Sequence, residues 1–250
     1  MRVFALLAIV ALLSGCTPQS GTPVSTADST AAPAAPNPFS TIARRLTAPT
    51  GGKSVDQLET ESAKKPGDKV ALKALGLAYY NAGGYEPAIA TLGKLQGDPE
   101  AAYYQAASLL ALAKDKEALA LLKDLKTPQA ALLRADYNYL KGVDVKAAAE
   151  DYTVALKAPE TQGEAALALG TIVIVNGDRT EAKKLFALAS EKLPAGPSRA
   201  RAYSSLGRMA EEGNDSKVAR GWYKKALKDD PENGWAKQSL EPTPPPASSK

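Results

Sequence analysis

Five alanines, Ala88, Ala118, Ala148, Ala182 and Ala219, recur along the chain at intervals of 30, 30, 34 and 37 residues. Four residues after each stands a large side chain: Leu92, Leu122, Tyr152, Phe186 and Tyr223. Three further on are Leu95, Leu125, Ala155, Ala189 and Ala226, after which Pro99, Pro128, Pro159, Pro194 and Pro231 end the units. Twelve residues before three of the alanines stands a glycine preceded by leucine: Leu75-Gly76, Leu169-Gly170 and Leu206-Gly207. A period of this length marks a chain built by stacking one small unit on the next, because no unit covers its apolar face alone.

Composition decides what the unit is made of. Of 250 residues, 47 are Ala and 30 are Leu, against 11 Val, 5 Ile and 3 Phe. Ala and Leu lose little conformational freedom in a helix, so the unit is expected to be helix–turn–helix, punctuated by Pro and Gly. Ile172-Val173-Ile174-Val175 is the one run that looks like a strand, and it is too short and isolated to found a sheet. The expected fold class is all-α over residues 54–240. Ser54 to Pro66 reads as a preceding half-unit, and Asn233 to Leu240, with Trp235, as a closing helix.

The clearest copies are Leu72-Lys73-Ala74-Leu75-Gly76-Leu77-Ala78-Tyr79 with Ala88, and Tyr203-Ser204-Ser205-Leu206-Gly207 with Ala219, Tyr223, Ala226 and Pro231. In these residues the sequence resembles the tetratricopeptide repeat (TPR) family. The resemblance implies a solenoid of about five helix pairs, with a small residue where paired helices cross at about 8–10 Å. The units at 100–128 and 129–159 are shortened, and Asp136 stands where the family has a small residue.

Stacked pairs curve, so the first helix of every unit is expected to line a concave face. With the small residue as a ruler, the groove-facing positions are Lys73, Leu77, Tyr80 and Asn81, then Tyr104 and Ser108, then Leu133, Tyr137 and Leu140. Leu167, Thr171 and Ile174 follow, and Arg201, Ser204, Arg208 and Glu211 make a charged C-terminal end. Exposed Tyr and Leu along a concavity suit a peptide or an amphipathic helix. The competing reading places Tyr104, Tyr137 and their neighbours in the core between units. The Lys and Asn ring with which chaperone-binding members of the family hold a terminal carboxylate is absent, since Leu77 occupies one of its places, which disfavours that class of partner.

Several chemistries are excluded or disfavoured. The chain has no His and a single Cys, which removes His-based catalysis, internal disulfides and Cys-cluster zinc sites. The net charge of +4 comes from intermixed signs and gives little support to nucleic-acid binding. No phosphate-loop string occurs. The carboxylates of Glu211, Glu212, Asp215, Asp229 and Asp230 read as a solvated rim. No cofactor, metal or catalytic residue is expected, and the protein is read as a non-enzyme.

The first fifteen residues carry Arg2, an unbroken apolar run from Val3 to Leu13, and then Ser14-Gly15 before Cys16. That is the layout of a secretory signal peptide, and the run is too short to span a bilayer. Leu13-Ser14-Gly15-Cys16 resembles the bacterial lipobox. The resemblance implies that Cys16 is cleaved free, lipidated and left as the N-terminus, so that acyl chains hold the protein on a membrane. Thr17 follows where Asp would signal inner-membrane retention, so the expected address is the outer membrane, facing the periplasm. Residues 16–53 are expected to form the lipidated Cys and a Pro/Ser/Thr/Ala-rich tether, disordered through Pro38. Phe39, Ile42 and Leu46 have helical spacing, and residues 241–250 form a Pro-rich tail.

These readings converge on a membrane-anchored adaptor whose partners are protein or peptide segments of envelope components. By layout the chain looks like the assembly lipoproteins of tight-adherence (Flp) pili, which implies work on a secretin or another secretion component. A scaffold for cell-wall enzymes and an outer-membrane assembly factor are the alternatives.

Overall fold

The computed structural model describes Ala48 and residues 50–241. The expected signal peptide, Cys16, the tether as far as Thr47, the turn at Phe39, Ile42 and Leu46, and the tail beyond Glu241 lie outside the described residues. Among the described residues every regular element is an α-helix. Helix α1 (Val55–Lys64) precedes five pairs: α2 (Lys69–Asn81) with α3 (Tyr85–Leu92), α4 (Pro99–Ala111) with α5 (Asp115–Lys123), and α6 (Pro128–Leu140) with α7 (Val145–Ala155). Next come α8 (Pro159–Val175) with α9 (Arg179–Lys192), and α10 (Pro197–Glu212) with α11 (Ser216–Asp229); α12 (Gly234–Leu240) closes the stack. The second helices lengthen along the chain, from 8 and 9 residues through 11 to 14 and 14.

Helix starts follow from local chemistry. Asp68, Asp98, Thr127, Asp144, Asp178 and Asp215 each accept from a backbone N–H of the first turn, satisfying groups that the helix itself leaves unpaired. The boundary prolines work on the far side of the boundary. Pro99, Pro128 and Pro159 occupy the first position of the next helix, where a missing N–H costs nothing. In the fourth unit Pro194 stays in the loop, and Pro197 takes that place. Within the pairs the turn reaches a left-handed residue at Gly83, Ala113, Gly142, Gly177 and Asn214.

The recurring spacing is a notch and its filler. A Cβ added to Gly76 would lie 2.5 Å from Leu92 Cδ2; one on Gly170, 2.9 Å from the Phe186 ring; one on Gly207, 2.6 Å from the Tyr223 ring. Each filler follows its notch by sixteen residues, and Leu92, Phe186 and Tyr223 are almost fully buried. Burying a side chain of this size stabilises by roughly 1.5–3 kcal/mol. The second unit places Ala106 against the same pattern with Leu122, both at 0% exposure. In the third unit the notch residue is Asp136, and Tyr152 donates its hydroxyl to it at 2.8 Å.

The core runs as successive clusters. One extends from Leu77 and Tyr80 to Leu133, the next from Leu132 to Leu206, and a third gathers Ala200, Tyr223 and Ala236. Helix α6 serves two clusters through the adjacent Leu132 and Leu133. Arg134 ties neighbouring units: Nε and Nη2 donate to Asp151 at 3.1 and 2.6 Å, and Nη1 donates to the carbonyls of Leu122 and Leu125, both at 2.9 Å. It thereby places a cation at the C-terminus of α5, where the helix dipole is negative.

Candidate functional site: the face of the first helices

Helices α4, α6, α8 and α10 line one cavity of about 720 Å³. Its apolar wall comes from Tyr103 and Tyr104 on α4, Leu132, Leu133 and Leu140 on α6, and Leu167 on α8, with Leu193 from the loop after α9. Polar groups stand among them: Asp136 and Tyr139 on α6, Tyr152 on α7, Glu160, Glu164 and Thr171 on α8, and Arg201 on α10. An apolar wall with a few placed polar groups is the usual make-up of a ligand site.

The aromatic side chains pack edge to face. Ring centroids are 5.0 Å apart for Tyr80–Tyr104 and for Tyr103–Tyr104, and 6.5 Å for Tyr139–Tyr152. Burial pushes the Tyr103 phenol well up, with Tyr104 and Asp136 adding to it. Tyr152 rises for the same first reason, reinforced by its bond to Asp136. Tyr139 also rises through burial, opposed by the charge of Arg201. These phenols are therefore neutral hydrogen-bonding groups. Gln129 donates to Glu160 at 2.6 Å. Among the described residues neither Glu164 nor Arg201 forms an ion pair, so both charges are open to a ligand, beside Glu160, which accepts from Gln129, and Lys192, which pairs with Glu191.

The sequence-derived positions divide into three groups. Tyr104, Leu133, Leu140, Thr171 and Arg201 come together on this cavity. Thr171 also lines a smaller one of about 270 Å³, shared with Ile174, Arg179, Arg208 and Glu212. Arg208 stacks there on Trp235, 4.8 Å from the ring centroid, and Arg179 pairs with Glu212. Lys73, Leu77, Tyr80, Asn81 and Tyr137 line neither cavity.

Burial corrects the expectation of open side chains at Leu77, Tyr80, Tyr104 and Leu133, which are 3%, 2%, 9% and 2% exposed. First helices of successive units touch, so a residue on this face is shared between the groove and the core between units. Ser108 and Ser204 are buried for the same reason; Ser204 donates to Asn233 at 2.8 Å. Lys73 is already engaged, with Asp98 at 3.0 Å and with Glu100 at 2.5 Å. Tyr137 donates to Asp115 at 3.3 Å. Leu140 and Arg201 remain exposed.

The rim carboxylates hold structure. Glu211 accepts from the Tyr223 hydroxyl at 2.7 Å, Asp215 caps α11, and Asp229 accepts from both arms of Arg199 at 2.5 and 2.9 Å. No group of His, Cys, Asp and Glu suited to a metal ion occurs among the described residues.

Sequence reasoning missed Tyr103, Asp136, Tyr139 and Glu164. Counting three residues back from each notch gives Lys73, Tyr103, Leu133, Leu167 and Ser204. Anchoring the second unit on Ala106 would have selected Tyr103; an anchor one residue later selects Tyr104.

Asn81, the last residue of α2, makes a separate contact. Its Oδ1 accepts from the backbone N–H of Ala48, and its Nδ2 donates to the carbonyl of Ala48, both at 2.8 Å.

No protein-family model matches the chain, and no curated protein does. Among solved structures it is similar to YrrB, described as a TPR protein with an unusual peptide-binding site. The two are 17% identical with a TM-score of 0.54, over 74% of this chain and 98% of YrrB. MamA aligns at 20% identity and a TM-score of 0.49, over 70% of this chain and 97% of MamA. The fold is a TPR-type solenoid.

Proposed function

We propose that the protein is a lipid-anchored adaptor that holds polypeptide segments of envelope components against its first-helix face. The observation that carries this reading is the cavity shared by α4, α6, α8 and α10, with Glu164 and Arg201, unpaired among the described residues, on its lining. Its walls accept apolar side chains, and its charges give a bound segment direction and register. The peptide-binding site described for YrrB supports a peptide ligand.

The second half of the reading rests on sequence. Cys16 closes a lipobox-like string, and two or more acyl chains keep a protein stably on a membrane. Confinement at the outer membrane, facing the periplasm, raises the effective concentration of a partner in the same compartment. The finer role, in assembly of a tight-adherence pilus or its secretin, rests on the resemblance in layout.

Photo-cross-linking from Leu140 and Arg201 in intact envelopes tests the adaptor. One dominant cross-linked protein, lost in a Glu164→Lys, Arg201→Glu double variant of unchanged helicity, supports it; no dominant product overturns it. Recovery of a secretin supports the finer role, and recovery of wall enzymes replaces it. Cys16→Ser is expected to release the protein from membranes, and retention would remove the lipid anchor from the reading.

A further inference from the structure

Ala48 is 2% exposed and belongs to the same buried cluster as Leu77, Tyr80 and Tyr104. It lies 33 residues from Asn81, yet the Asn81 carboxamide grips it at both backbone groups. One primary amide matches the N–H and C=O of a single residue only when both point the same way, as they do in extended chain. Pro49 follows Ala48 in the sequence and biases it toward that conformation. The contact reads main chain, while burial of the Ala48 methyl leaves room for a small side chain only.

Asn81 follows its notch, Gly76, by five residues. The same position on the other first helices carries Ala111, Lys141, Val175 and Glu212, none of which offers both a donor and an acceptor at its tip. The grip is particular to α2.

We propose that the C-terminal end of α2 is a backbone-reading site for extended polypeptide, selective for a small residue before proline, and that Ala48 is its resident occupant. An incoming segment of this class binds there by displacing the chain's own Ala48. The inference deepens the proposed function, resting on this face as the surface that holds polypeptide, but it concerns a place that does not line the α4–α10 cavity.

The test uses the full chain and a labelled synthetic peptide of residues 43–53. Ala48→Pro deletes the N–H that Asn81 accepts and alters no helix. The peptide is expected to bind Ala48→Pro about tenfold more tightly than the unaltered chain, the effect of one lost hydrogen bond in the competing occupant. Asn81→Ala should bind it weakly or not at all, and a peptide with Leu in place of the alanine should fail on every chain. Hydrogen exchange supplies a readout independent of added peptide: the Ala48 amide should exchange about tenfold faster in Asn81→Ala, with helicity unchanged. Equal affinity of the unaltered and Ala48→Pro chains, absence of binding to both, or an Ala48 amide indifferent to Asn81 would each overturn the proposal. Cross-linking from Leu140 and Arg201 is unaffected by such a failure, so the two readings fail separately.

Discussion

The hydroxyl of Tyr152 donates to Asp136 Oδ1 at 2.8 Å, across the contact that a glycine notch makes in the first, fourth and fifth pairs. Tyr152 is 1% exposed but Asp136 only half-buried, so the third unit exchanges close backbone approach for a part-buried hydrogen bond on the cavity wall. Asp136→Ala should therefore cost about 1–3 kcal/mol, because it takes a charged acceptor from a part-buried hydroxyl. In urea titrations, adding Tyr152→Phe to Asp136→Ala should recover part of that loss; an additive further loss would show that the hydroxyl is satisfied elsewhere.

The notches predict opposite outcomes for two glycine-to-alanine changes. Gly207→Ala drives a methyl into the Tyr223 ring and should destabilise by about 1–3 kcal/mol. Gly221 lies within α11, where an added Cβ would meet nothing within 4 Å, and Gly221→Ala should stabilise by up to about 1 kcal/mol. Denaturant midpoints of the two variants should move apart.

Ala113 holds φ +58° at the turn where three other pairs use glycine. A left-handed alanine costs roughly 1–2 kcal/mol, and the extra freedom of glycine in the unfolded chain returns part of that. Ala113→Gly should raise stability by about 0.5–1 kcal/mol, measured by thermal or urea unfolding.

Arg134 joins the third unit to the second through the carbonyls of Leu122, on α5, and Leu125, just past its end, and is held by Asp151 within its own unit. Arg134→Met keeps the apolar stem and removes every one of those bonds, so a loss of about 2–3 kcal/mol is expected. Hydrogen exchange should quicken at the α5–α6 junction, with α10 and α11 unchanged, since units in such a stack feel only their neighbours.

Alkaline pH should unfold the protein. Tyr80, Tyr103 and Tyr152 all have phenols raised above the ordinary value, chiefly by burial. Their stabilising effect is complete below about pH 10, where both folded and unfolded chains are protonated. Above it the unfolded chain loses protons first, and stability falls as pH climbs toward the folded values. Phenolate absorbance of these residues should appear together with loss of helix; its appearance beforehand would show that their rings are accessible.

The architecture was legible because the notch, the filler and the boundary proline repeat, and a repeated constraint is visible even when each copy is weak. The groove was less legible, for a physical reason. A first-helix side chain such as Leu133 touches both the cavity and the core between units, so hydrophobicity alone does not assign it to either. The second unit offers Ala106 and Ala107 side by side, and choosing the later one exchanges Tyr103 for Tyr104. Asp136 looked like a defect in the pattern; its meaning depends on Tyr152, sixteen residues away. The grip of Asn81 on Ala48 left no periodic trace, since it reads backbone rather than side chain.

The uneven lengths of the second helices set a direction of failure. Helix α3 has 8 residues and α9 has 14, so the leading end of the stack has less to lose than the trailing end. A structure held only by adjoining layers melts inward from its weaker margin. Warming should peel the protein from its N-terminal margin, the side of the proposed leash, while the aromatic hub around Tyr223 keeps its shape longest.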